Sequence, residues 1–288
     1  MNLHNMKQPS ETLLVTLVQA NLLWEDKDAN LSMFDKMIRS AESKMEVVVL
    51  PEMFNTGFSM EPKKLAERMD GPSVAWMKKI AADLKIILVG SVIIEEDRKY
   101  YNRLVWMLPT GETGYYDKRH LFAYGGEDDQ FSRGNKRLIA SVKGWKLNLQ
   151  VCYDLRFPVW ARQSVPLHPL PDGGFERETN DDNAQPEYDA LIYVANWPEK
   201  RKHAWITLLQ ARAIENQCYA VGVNRVGTDG NGILYSGDSM VVDPMGEIVE
   251  TEAHEEKLLT YTLTLQKLTN VRSKLPFLKD ADPFIIGS

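Results

Sequence analysis

Two cysteines are all this chain contains, Cys152 and Cys218. That is too few for a disulfide framework, and a reducing, cytoplasmic setting is the expectation. Its five histidines show no HxxxH or HxxE spacing, and there is no CxxC, so no metal site is expected. Positive charge is not in excess: 34 Lys and Arg stand against 40 Asp and Glu, a formal net charge of -6. A nucleic-acid partner would call for a basic face or stripe, and none is expected here. No apolar run approaches the roughly 20 residues that cross a bilayer. The first residues, MNLHNMKQPSETLL, lack the apolar centre of a signal peptide. Membrane association and export are therefore not expected.

What is present has the balance of a globular α/β protein. Apolar residues make up 44% and charged residues 26% of a 288-residue chain, enough for one large domain or two small ones. Nine short β-branched runs read as strands: 12–20, 46–52, 85–94, 103–109, 146–154, 189–198, 218–227, 239–246 and 258–265. Continuous apolar runs of that length fit strands buried on both faces. Helical patterns lie between several of them. Residues 26–45 set Leu31, Phe34, Ile38 and Met45 near one face, and 72–84 opens with Pro72 after Gly71. Residues 201–217 carry an apolar stripe of Trp205, Leu208, Leu209 and Ile214. Strand–helix–strand alternation predicts α/β architecture. The meander-like runs at 103–109 and 239–265 predict mixed rather than purely parallel sheets. No linker divides the chain. The one compositional break, about 166–188, is rich in Pro, Gly, Asp and Asn and reads as a long inserted loop.

Polar residues gather where the apolar runs end. EVVVL is followed by Pro51-Glu52, KIILVG by Ser91, LNLQV by Cys152-Tyr153-Asp154, and LIYVA by Asn196-Trp197. In open α/β sheets, ligands bind outside the carboxyl ends of strands. If these strands are parallel and adjacent, Glu52, Cys152 and Asn196-Trp197 share one site. Cys152 then reads either as a small buried hydrophobe or as a nucleophile. A nucleophilic thiol needs a base, an oxyanion needs donors, and a leaving amine needs a proton. Glu52 is the candidate base and later acid. Lys118, in the polar turn DKRH, is either a solvated charge or the oxyanion donor.

The blocks LPEMFNTGF around Glu52, YDKRHLF around Lys118 and VCYDLRFP around Cys152 resemble the signature blocks of the nitrilase superfamily of carbon–nitrogen hydrolases. VANWP (194–198), QARAIENQ (210–217), NRVG (224–227) and GDSMVVDPMGEI (237–248) resemble it as well, so the likeness runs from about Thr12 to the C-terminal tail. Within the superfamily the resemblance is to the ω-amidase branch, and the whole chain is then one carbon–nitrogen hydrolase domain with a tail from about 266. The resemblance implies a four-layer α-β-β-α sandwich, a homodimer or higher homo-oligomer, no cofactor, and a Glu-Lys-Cys triad. Glu52 would be the base, Lys118 the oxyanion stabiliser, Cys152 the nucleophile, and Glu127 a second glutamate holding the lysine or the substrate. Tyr153 would add its backbone N–H to the oxyanion hole. Phe54, Phe122, Asn196 and Trp197 are candidate pocket walls. Arg156 and Arg119 are candidates for a substrate carboxylate, and Arg156 pairs equally well with Asp154 or Glu127. The implied reaction is hydrolysis of the side-chain amide of 2-oxoglutaramate or 2-oxosuccinamate through a thioester. A nitrilase or an N-carbamoyl amidohydrolase is the alternative.

Overall fold

The computed structural model describes residues 9–163, 167–169, 175–177, 186–282, 284 and 286. Most of the inserted segment at about 166–188 lies outside the described residues. Two mixed sheets form the centre. The first has the order β15 (Lys257–Thr264), β1 (Thr12–Gln19), β2 (Val47–Val49), β3 (Ile87–Glu96), β4 (Lys99–Met107) and β5 (Thr113–Asp117). Here β1, β2 and β3 run parallel, and β15 pairs antiparallel with β1 along its whole length. The second sheet has the order β12 (Val226–Thr228), β13 (Leu234–Val242), β11 (Tyr219–Val223), β10 (Ala190–Val194), β7 (Trp145–Val151) and β6 (Leu138–Val142). A further strand, β14 (Ile248–Ala253), pairs with β13. The short strands β8 (Leu167–Pro169) and β9 (Phe175–Arg177) form a separate antiparallel ribbon.

The layering follows from the two-residue period of extended chain. In β2, Val47 and Val49 join Leu147, Leu149 and Ile192 in the core between the sheets. Val48, between them, turns outward and packs with Phe34 and Ile38 of α1 (Lys27–Arg39) and Met77 and Ile80 of α3 (Pro72–Leu84). On the far side, α6 (Lys202–Asn216) lies against β11 and β13 through Trp205 and Leu209. Helix, sheet, sheet, helix is therefore the order of layers. Shorter helices complete the chain: α2 (Pro62–Leu65), α4 (Glu127–Gln130), α5 (Pro158–Ala161) and, after β15, α7 (Leu265–Lys274). Each fully buried Val or Leu between these layers contributes about 1.5–3 kcal/mol.

All nine apolar runs lie on strands, and α3 spans the predicted 72–84. Two expectations need correction. Ile214 does not share the buried stripe of α6; it is 54% exposed on the outer surface. Ser91 does not end a strand, because β3 continues to Glu96. Its Oγ instead accepts a hydrogen bond of 2.8 Å from the Met53 N–H and so supports the turn that follows β2.

Candidate active site

The strand β7 ends at Val151, and the chain turns at once. Cys152 has φ +43°, a left-handed conformation that L-residues rarely adopt and that surrounding structure must enforce. It opens the short 3-10 turn Cys152–Arg156. The enforcing group is Asp154, fully buried. Its Oδ2 accepts from Val151 N–H (3.1 Å) and Tyr116 O–H (2.7 Å), and its Oδ1 from His120 N–H (2.9 Å). One carboxylate thus ties the cysteine turn to the end of β5. Cys152 is left 9% exposed, with Sγ 3.9 Å from the Asn196 carbonyl.

Glu52 and Lys118 come from the first sheet. Glu52 follows β2 and precedes Met53, which also has a positive φ, +43°. Lys118 follows β5 and lies beside Asn102 of β4, whose carbonyl accepts the Lys118 N–H at 3.0 Å. Glu127 opens α4. All four side chains are buried. Lys118 Nζ donates to Glu52 Oε1 (2.9 Å) and to Glu127 Oε2 (2.8 Å) and Oε1 (3.0 Å). Asn102 Nδ2 donates to the same carboxylates, at 2.8 Å to Glu52 Oε1 and 3.2 Å to Glu127 Oε1. Two donors therefore bridge two like charges that would otherwise repel in a dry site. Glu127 Oε2 also accepts from Phe122 N–H at 2.7 Å, and Glu52 Oε2 from Asn196 N–H at 2.8 Å. Asn196 Nδ2 closes the link between the sheets with a 2.5 Å bond to the Glu52 carbonyl.

The electrostatics follow from this cage. Burial alone would lower the Lys118 pKa, but Glu127 and Glu52 outweigh it and hold the ammonium above its ordinary range. Burial pushes the Glu127 carboxyl up, with Lys118 opposing. Burial also pushes the Cys152 thiol well above the usual value; the Glu52 charge adds to the rise and Lys118 opposes it. The resting arrangement is a neutral thiol in the same buried site as the Glu52 carboxyl, with the Lys118 ammonium within electrostatic reach of both. Such a constellation can move a proton from sulfur to oxygen and stabilise an adjacent oxyanion.

Above the thiol opens a cavity of about 240 Å³. Of the residues anticipated as its walls, Phe122, Tyr153, Arg156, Asn196 and Trp197 do line it. Phe54 does not. It is fully buried on the helix side of the first sheet, 5.7 Å from the Phe34 ring and 5.8 Å from that of Trp76. Phe58 takes the wall position instead, its ring 5.1 Å from Lys118 Nζ. Arg119 turns away, with its guanidinium on the Gly134 carbonyl and the Trp160 ring. Asp154 and Glu127 are engaged elsewhere, and Arg156 has no ion pair with either. Asn102, Phe58, Arg201, Asp229 and Tyr235 were not anticipated. Phe58 closes the block LPEMFNTGF and Asn102 is a polar residue at the edge of an apolar run; Arg201, Asp229 and Tyr235 reach the cavity from loops and strand ends that sequence spacing does not bring together.

A family model described as carbon-nitrogen hydrolase matches residues 14–167 and 172–273. The omega-amidase YafV of Escherichia coli K12 is 41% identical over 273 residues, 94% of this chain and 98% of that protein. The 2-oxoglutaramate amidase of Bacillus subtilis is 28% identical over 269 residues, 92% of this chain and 96% of that one. Among solved structures, XC1258 of Xanthomonas campestris, a CN-hydrolase superfamily protein with an arsenic adduct in its active site, is 40% identical with a TM-score of 0.89. The match covers 96% of this chain and all of that one.

Proposed function

This chain belongs to the carbon–nitrogen hydrolase family of the nitrilase superfamily and is an amidase of the ω-amidase type, and from that premise we propose that Glu52, Lys118 and Cys152 hydrolyse the ω-amide of a short 2-oxo dicarboxylic acid. 2-Oxoglutaramate and 2-oxosuccinamate are the substrates in view. The observation that carries the reading is the single ammonium of Lys118 held between Glu52 and Glu127, with Asn196 joining the site by donating its N–H to the same Glu52 and placing its carbonyl 3.9 Å from Cys152 Sγ.

Glu52 takes the thiol proton as Sγ attacks the amide carbon. The carbonyl π electrons move to oxygen, and Lys118 Nζ with the Tyr153 N–H receives the oxyanion. Glu52 then delivers the proton to nitrogen, because an amide anion is too basic to leave. The C–N bond breaks, ammonia departs, and a thioester to Cys152 remains. Water attacks the thioester while Glu52 takes its proton; the C–S bond breaks, the acid leaves, and the thiol is re-formed. Glu127 and Asn102 do not touch the reacting atoms in this scheme. They hold Lys118 and Glu52 in place, so that positioning is complete before substrate arrives.

The test is ammonia release from 2-oxoglutaramate, 2-oxosuccinamate, a small nitrile and an N-carbamoyl amino acid, with acid quenching and intact-mass analysis in parallel. We expect release from the oxo-amides, an adduct on Cys152 equal to substrate less ammonia, and neither in Cys152→Ala. Ammonia release by Cys152→Ala at the wild-type rate would end the proposal. Faster turnover of the nitrile or the carbamoyl compound would move the substrate class while leaving the nucleophile in place.

A further inference from the structure

The block QARAIENQ (210–217) stands apart from the three triad blocks, yet the fold brings one of its residues onto the cysteine turn. That residue is Arg212 of α6, only 3% exposed. Its Nη2 donates to the Leu155 carbonyl at 2.6 Å, and its Nη1 donates to Glu215 Oε1 at 3.0 Å. Its Nε has no partner among the described residues. Leu155 belongs to the 3-10 turn Cys152–Arg156. A cation of the outer helix layer therefore grips the segment that carries the nucleophile.

Docking of α6 does not need this contact. Trp205 and Leu209 seat the helix with fully buried side chains, and the Trp205 indole N–H donates to the Asp238 carbonyl at 2.8 Å. The far end is fastened separately. There Asn216 Oδ1 accepts from the Gln163 N–H at 2.9 Å, and the Asn216 carbonyl accepts from Gln163 Nε2 at 2.8 Å. A buried guanidinium with one donor unmatched is costly, and an apolar side chain of similar volume would fill the same space more cheaply. What Arg212 adds to packing is direction: a charge-assisted hydrogen bond that fixes one carbonyl. The turn it fixes is strained. Cys152 has φ +43°, which its surroundings must impose. Asp154 imposes it from the side of the first sheet, through Val151 N–H, Tyr116 O–H and His120 N–H. Arg212 is the tie from the side of α6.

We propose that Arg212 is a positioning residue for the oxyanion. Held on the Leu155 carbonyl from α6, it keeps the turn from relaxing, and so keeps the Tyr153 N–H and Cys152 Sγ placed against Lys118. It does not touch substrate. The inference rests on the amidase reading of Cys152 and adds a support for the oxyanion hole that lies outside the three triad blocks.

Arg212→Met keeps the apolar bulk and removes the donors, whereas Arg212→Lys keeps the charge and one donor group. In protein shown to be folded by circular dichroism, Arg212→Met should lower kcat for 2-oxosuccinamate about 10–100-fold, with KM within about twofold of wild type. Succinic semialdehyde, of the same chain length, gives a readout that loosened packing alone would not move. Sγ adds to its aldehyde carbon, the C–S bond forms, the carbonyl π electrons move to oxygen, and the thiol proton passes to Glu52. The adduct holds an oxyanion in the hole without turnover. Its inhibition constant should rise by about the factor that kcat loses, as for a transition-state analogue. Arg212→Lys should show the same pattern at smaller size, and it decides the matter if Arg212→Met does not fold. An aldehyde inhibition constant unchanged in every folded variant overturns the proposal, and so does a loss confined to KM. A wild-type protein inert toward both compounds would overturn the amidase reading and this inference with it; an active wild type beside unaltered variants overturns this inference alone.

Discussion

Glu52 and Lys118 act on the Cys152 thiol in opposite senses, and substitution separates the two. Burial is the largest reason the thiol pKa is high, the Glu52 charge is the next, and Lys118 works against both. Glu52→Gln removes a raising influence and keeps the lowering one, so the thiol pKa should fall relative to wild type. The thiolate fraction then grows at every pH below it, about tenfold for each unit of pKa lost. Iodoacetamide at pH 8, followed by intact mass, should label Cys152 faster in Glu52→Gln than in wild type. Ammonia release should move the other way and fall by about 10³–10⁴, because one carboxylate serves as both base and acid. Slower labelling in Glu52→Gln would mean that the carboxylate assists alkylation as a base more than its charge suppresses the thiolate. Cys218 is the internal control: fully buried, its thiol pushed up to about 12 mainly by burial, it should stay unlabelled while the protein is folded.

The turn from Cys152 to Arg156 and the end of β5 are held together by Asp154, and this joint can be tested alone. Asp154→Asn replaces one acceptor oxygen with an NH₂ that faces either His120 N–H and Nδ1 on one side or Val151 N–H and Tyr116 O–H on the other. Buried donors left without an acceptor cost about 1–3 kcal/mol each, so we expect about 2–5 kcal/mol of lost stability in urea unfolding. Turnover should fall further than the unfolded fraction explains, since the positive φ of Cys152 depends on the same bonds. At this scale much of the chain was legible in its sequence. Long apolar runs became strands, and Pro72 after Gly71 opened a helix. Besides the short ribbon β8–β9, inside the segment read as a loop, the strands that escaped notice are β5, β6 and β14, in which one residue in five, one in five and none, respectively, is buried. They lie toward sheet margins, where one covered face or none leaves no apolar run to see. The helix α7 escaped for a related reason: only Leu268 and Val271 are buried, and the rest of its residues are mostly polar or charged.

The family resemblance implied the two-sheet layering, but which strands fall in which sheet was the feature least legible in the residues themselves, and the site depends on it most. Strand ends carrying Glu52, Cys152 and Asn196 were expected to be neighbours in one sheet. The strands β7 and β10 are indeed parallel neighbours, but β2 lies in the other sheet. Each strand is apolar on both faces, so its sequence does not say which neighbour it pairs with and which it packs against. What joins Glu52 to Asn196 is a contact across the stack, 144 residues apart in the chain. The catalytic arrangement therefore exists only while the sheets remain packed, and loss of activity should be loss of the whole fold. In a urea titration, far-UV circular dichroism, tryptophan fluorescence and ammonia release should share one midpoint, the mark of a single cooperative transition. Leu149→Ala tests the cause. Leu149 is fully buried in β7, in the core between the sheets and remote in function from any proton transfer. Its truncation should remove about 2–5 kcal/mol and move all three midpoints together, with kcat of the folded protein unaltered. Activity that vanished at lower urea than the other two signals would place the site on a locally unfolding unit, and packing of the two sheets would then not be what holds Glu52 against the cysteine turn.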